Sequence, residues 1–137
     1  MPSVVIKARP EEQKTVKRMN VRTINPFIVA AVSVIRENTG LSVAKRNVFV
    51  QQGKFTPAGT GMVMNINGQL QGKIVYEFSR GVAARFSQRM IERNLDMKTS
   101  AVDFKDMLNA AILELGNQIA GKAITLLEKE QVNCSIS

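Results

Sequence analysis

Apolar residues recur at three- and four-residue intervals in three parts of this chain and at alternate positions in a fourth. The longest helical pattern runs from Asp103 to Glu130. There Phe104, Met107, Leu108, Ala111, Ile112, Leu115, Ile119, Ala123, Leu126 and Leu127 form one stripe, as in an amphipathic helix laid on a core. Asp103 and Asp106 suit its first turn, at the positive end of the helix dipole. An earlier helix is predicted from Asn25 to about Asn38. Asn25 supplies a capping oxygen, Pro26 takes the first helical position, Phe27, Ala30, Ala31, Val34 and Ile35 face one way, and Thr39-Gly40 stops the helix. Ser79 caps a third helix through about Ile91, with Val82, Ala83, Phe86 and Met90 buried and Arg80, Arg85, Arg89 and Arg93 on or beside the solvated face.

Between the first two of these helices in chain order the period changes to two. Val43–Gln51, Met62–Ile66 and Leu70–Phe78 read as strands, with a Gly/Pro/Thr-bearing loop over residues 53–61. Asn67-Gly68 readily takes the positive φ values of a tight turn, so the last two strands are predicted to pair antiparallel. Ile74, Tyr76 and Phe78 share one face, with Val75 and Glu77 on the other, which predicts a half-buried sheet. Ser3–Lys7 is β-branched and reads as a short strand ending near Pro10, and Val132–Ile136 opens another. Residues 11–23 read as a connection or weak helical turn, and residues 92–100 as a polar loop. The pattern predicts an α+β fold in which two or three long helices pack on one face of an antiparallel sheet.

A length of 137 residues and 45% hydrophobic content fit one domain with a sizeable core. No apolar run approaches the roughly 18 residues of a membrane span, and no signal peptide opens the chain, so a cytoplasmic protein is expected. A lone Cys134 allows no internal disulfide, which agrees with a reducing compartment. The absence of His argues against metal catalysis and a Ser-His-Asp triad. The net charge of +8 suggests an acidic partner, and residues 1–22 contribute +4 of it. This basic N-terminal segment is either a tail or an extra strand. The remaining Lys and Arg are dispersed and aromatic residues make up only 5%, so nucleic acid is not the favoured partner.

Candidate chemistry lies within the long helix. Glu114 and Asn117 are three apart and share a face, while Ala110, Gly116, Ala120 and Gly121 keep their surroundings low enough for another molecule to approach. Each of the two glycines costs about 1 kcal/mol relative to Ala in a helix interior. An amide can hold a water by donor and acceptor together, and a carboxylate can bind a cationic group of a partner. The spacing by itself is common in helices and equally describes an ordinary exposed acid and amide.

Glu114-Leu115-Gly116-Asn117, followed by Ile119-Ala120-Gly121-Lys122-Ala123, resembles the helix signature of the CheC/CheX/FliY family of chemotaxis phosphatases, closest to its CheX branch. Ile24-Asn25-Pro26-Phe27 resembles the start of that family's first helix, Gly68–Gly72 through Phe78 its central hairpin, and Cys134–Ser137 its next strand. Only one signature is present. The CheC branch usually carries two, and Arg36-Glu37-Asn38-Thr39 does not reproduce it.

The resemblance implies a phosphatase domain over residues 23–137, acting on the aspartyl phosphate of a CheY-like receiver. Glu114 would pair with the receiver's active-site lysine and Asn117 would align a water for in-line attack. Mg²⁺ would belong to the receiver, with no cofactor or metal bound by this chain. It also implies a homodimer. Where the family often has Ser or Asp four residues before its glutamate, this chain has Ala110. The family also continues past the strand at Cys134 into a Pro-containing segment, so the domain is expected to be shortened at its C-terminus or completed by the Ser3–Lys7 segment. Two other functions compete with the phosphatase: a non-catalytic adaptor for a receiver or flagellar-switch component, and a basic nucleic-acid-binding domain.

Overall fold

The computed structural model describes residues 3–10, 21–50, 60–93 and 104–137. In chain order its elements are β1 (Ser3–Pro10), α1 (Val21–Thr39), β2 (Ala44–Val50), β3 (Thr60–Gly68), β4 (Gly72–Phe78), α2 (Arg80–Arg93), α3 (Phe104–Lys129) and β5 (Cys134–Ile136). Of the connection expected over 11–23, residues 11–20 lie outside the described residues, as do 53–59 and 94–100 of the two expected loops.

One five-stranded sheet has the order β2-β1-β4-β3-β5. Neighbours from β1 to β5 are antiparallel. β2 joins β1 in parallel, and the crossover that a parallel pair requires contains α1. β3 and β4 pair antiparallel as expected, their last pair is Ile66–Gly72, and the chain reverses through 67–71, which includes Asn67-Gly68. Gly68 has the expected positive φ and a second reason to be glycine. Its φ is +126°, and a Cβ would stand 2.9 Å from the Asn133 carbonyl oxygen, so β5 can close on β3 only over a bare backbone.

Met62, Met64, Ile66, Ile74, Tyr76 and Phe78 turn one face of the sheet into a common core with the three helices. The fold is α+β, as the periodicity predicts. β4 departs from the half-buried expectation, because Val75 and Glu77 on its other face are buried too. Tyr76 is wholly buried and donates its hydroxyl to the Phe27 carbonyl at 2.9 Å, tying β4 to α1, and burial pushes its ionisation far above the usual range. Phe78 and Phe86 meet edge to face at 5.5 Å, fastening α2 to the same strand.

α1 begins one turn earlier than Asn25-Pro26 predicts, so Pro26 lies inside it. Proline there removes one helical hydrogen bond, but Thr23 and Ile24 are buried and packing holds the extra turn. At its other end Gly40, at φ +73°, donates to the Arg36 carbonyl (2.8 Å), the predicted left-handed stop. α2 is capped by Ser79, whose hydroxyl accepts from Val82 N at 3.1 Å.

α3 ends in a two-bond cap: Val132 N donates to Leu127 O and Gln131 N to Glu128 O, both at 2.9 Å. Gln131 occupies the left-handed position at φ +60°, where glycine is the usual residue. Gln131→Gly is therefore expected to stabilise the fold by up to ~1 kcal/mol, read as a higher urea midpoint at unchanged slope.

Candidate functional site

On α3, Ala111, Leu115, Ile119, Ala123 and Leu127 are fully buried, a row with a spacing of four that lies against α1 and α2. Seating this row turns Glu114 and Asn117 outward, and both are exposed. At about 100° per residue they stand about 60° apart around the helix, with Ala110 and Gly121 between them and Leu113 just beyond Asn117. Ala110 and Gly121 are exposed, so the strip between acid and amide is low and open. Gly116 and Ala120 lie farther round, half-buried.

The Glu114 side of the ridge leans on α1. Gln118, one turn on, donates its Nε2 to Glu114 Oε1 at 2.9 Å, and its Oε1 accepts from Asn38 Nδ2 at 2.8 Å. Asn38 Nδ2 also reaches the Val34 carbonyl at 2.8 Å. Lys122 is engaged elsewhere, 3.5 Å from Glu37 Oε1, an exposed pair that adds little stability. Among the described residues Glu114 thus has an amide partner and no cationic one, so its charge stays available to an incoming cation.

The Asn117 side borders a groove of about 330 Å³ between α3 and the β3–β5 edge, lined among others by Met62, Met64, Ile112, Leu113, Gly116 and Ile136. Asn117 forms no hydrogen bond with another described residue, and its amide is free to hold water. The two glycines differ. A Cβ on Gly116 would lie 3.4 Å from the Met62 sulfur, whereas one on Gly121 would meet nothing within 4 Å. Gly121→Ala is thus expected to stabilise the isolated chain by about 1 kcal/mol through helix propensity, measured by thermal or urea unfolding.

Gln118 and Asn38 are the site residues that the sequence reading missed. Gln118 stands four residues after Glu114, a spacing that brings side chains together and could have exposed it. Asn38 comes from another helix, and nothing local to it signals the contact. Cys134 is no candidate nucleophile, because burial and then the nearby Glu128 carboxylate push its thiol above the ordinary range. Among the described residues no three His, Cys, Asp or Glu side chains gather as metal ligands would.

A family model described as "Chemotaxis phosphatase CheX" matches residues 60–137, more than half the chain and all of β3, β4, α2, α3 and β5. The chain belongs to the CheX family. Among solved structures it is similar to a candidate chemotaxis protein from Desulfovibrio vulgaris Hildenborough, with a TM-score of 0.61 and 20% identity over 86% of this chain and 73% of that one. It is also similar to a CheC-like superfamily protein from Shewanella sp. PV-4, with a TM-score of 0.59 and 18% identity over 87% of this chain and 74% of the other. At these identities the likeness is one of fold. No curated protein matches the chain significantly. The CheX match makes this a member of a chemotaxis phosphatase family with Glu114 and Asn117 inside the matched region.

Proposed function

We propose that this CheX-family chain hydrolyses the aspartyl phosphate of a CheY-like receiver, using α3 as the docking and catalytic face. The observation that carries the reading is the exposed Glu114–Asn117 pair, whose acid has no cationic partner and whose amide has no hydrogen bond among the described residues. Glu114 pairs with the receiver's active-site lysine. Asn117 accepts one hydrogen bond from a water and donates another to it, aiming the water oxygen at phosphorus opposite the aspartyl oxygen. The P–O bond to that oxygen breaks, and aspartate and inorganic phosphate result. Mg²⁺ held by the receiver neutralises the charge on the phosphoryl oxygens. This chain contributes position, which can lower a barrier by several kcal/mol. Ala110, Gly116, Ala120 and Gly121 let the receiver come close to α3.

The proposal places the protein in the cytoplasm, with its receiver. Among the described residues no helix is long and apolar enough to cross a membrane. It also includes a homodimer: the sheet ends in β2 and β5, and pairing an edge with a second copy would cover it.

Decay of the phosphorylated receiver, measured beside binding of a receiver carrying a stable phosphoryl mimic, tests the reading. Faster decay with binding supports the phosphatase. Binding without faster decay would make the chain an adaptor. Affinity that collapses with salt and ignores Glu114→Ala would point to nucleic acid instead.

A further inference from the structure

Glu114 is exposed, and an exposed glutamate ordinarily samples many rotamers. Here the hydrogen bond from Gln118 restrains it. Gln118 is half-buried and is itself held from behind: its Oε1 accepts from Asn38 Nδ2, which also reaches the Val34 carbonyl inside α1. The partners fix the polarity of the chain of amides. Because Asn38 presents an N–H, the Gln118 oxygen must face α1 and its NH₂ must face Glu114. Reversing the Gln118 amide would set N–H against N–H at one end and oxygen against carboxylate at the other.

From this arrangement we infer that Gln118, oriented by Asn38, is a positioning residue for the Glu114 carboxylate. An amide suits the task better than a cation. A lysine or arginine beside Glu114 would hold it equally well but would spend its charge, whereas Gln118 directs one oxygen and leaves the charge and the other oxygen for a partner's ammonium. The nearest candidate cation along the helix, Lys122, is turned toward Glu37 on α1. The support also answers the small side chain at Ala110. A carboxylate or hydroxyl one turn before Glu114 is absent, and the restraint comes from one turn after it. Asn38 makes the orientation of Glu114 depend on α1 and α3 staying in register.

This inference rests on the docking role proposed for Glu114, and a double-mutant cycle tests it in the full chain. Gln118→Met keeps the length of the side chain and removes both hydrogen bonds. It is expected to raise the KM for phosphorylated receiver about fivefold to tenfold at nearly unchanged kcat, because docking is weakened and the water-holding amide is untouched. Asn38→Leu should shift KM the same way by less. In a Glu114→Ala background, Gln118→Met should change kcat/KM by less than about twofold, since the group it positions is gone.

An equal loss in both backgrounds would mean that Gln118 acts on the fold rather than through Glu114, and would overturn the inference. So would an unchanged KM in the Gln118→Met single variant while Glu114→Ala impairs docking. If the unmutated chain neither binds nor dephosphorylates the receiver, the docking role falls and this inference falls with it, a result distinct from the other two. Unfolding midpoints of all variants show that the comparison is made between folded proteins.

Discussion

Asn117→Ala is expected to lower the accelerated decay of receiver phosphate about a hundredfold, the scale of losing alignment of a reacting group, with receiver binding nearly unchanged. Asn117 is exposed and forms no hydrogen bond with another described residue, so its removal leaves no orphaned partner in the fold. Alanine is the better helix former by about 0.6 kcal/mol, so the variant should be as stable as the parent or slightly more so. An inactive protein with equal stability and equal affinity would separate catalysis from folding and docking. Asn117→Asp adds a second check. It keeps the size, loses the N–H donor and sets a negative charge toward a phosphoryl group, so it should be no more active than the alanine variant. Stopped-flow or fluorescence decay of the phosphorylated receiver reads both.

Glu114→Lys should act on the other kinetic constant. An ammonium at this place faces the receiver's lysine instead of pairing with it, and like charges across an interface are strongly unfavourable. The KM should rise by more than about tenfold, with a larger rise at low salt, because screening weakens repulsion as it weakens attraction. Glu114→Gln, which removes the charge but keeps the shape, should fall between the lysine variant and the parent. Glu114 is exposed and touches the fold through Gln118, so unfolding should change by no more than about 0.5 kcal/mol. A Glu114→Lys chain that saturates at the same receiver concentration as the parent would remove Glu114 from the docking face.

The helices were legible because their burial follows a period that side-chain polarity reports directly. Ala111 through Leu127 on α3 and Phe27 through Ile35 on α1 are buried where the apolar spacing puts them. Pro26 misled because the helix-start rule weighs a local hydrogen bond, whereas burial of Thr23 and Ile24 decides that the helix begins a turn earlier. The place of β1 was hidden for a different reason. Its pairing with β2 and β4 joins segments far apart in sequence, and no alternation within Ser3–Pro10 names those partners. The burial of Val75 and Glu77 is likewise a tertiary property that the alternation along β4 does not report.

At the site, the spacing of Glu114 and Asn117 was readable and its meaning was not, since the same pair describes an ordinary helix surface. The resemblance supplied the meaning, and the CheX match supports it at the level of the family. What the sequence could not reach was the support behind Glu114. Asn38 lies 80 residues from Gln118, and only the packing of α1 against α3 brings them within 2.8 Å. The apolar groove beside Asn117 likewise arises between elements and has no sequence signature of its own.

The central claim is that α3 turns over phosphorylated receiver, and the most direct test is the lifetime of the aspartyl phosphate with this chain present at a substoichiometric concentration. The account predicts that the lifetime shortens in proportion to added chain, that phosphate release exceeds the amount of chain many times over, and that Asn117→Ala abolishes both effects. A lifetime unchanged by the unmutated chain, or shortened equally by the Asn117→Ala variant, would contradict it.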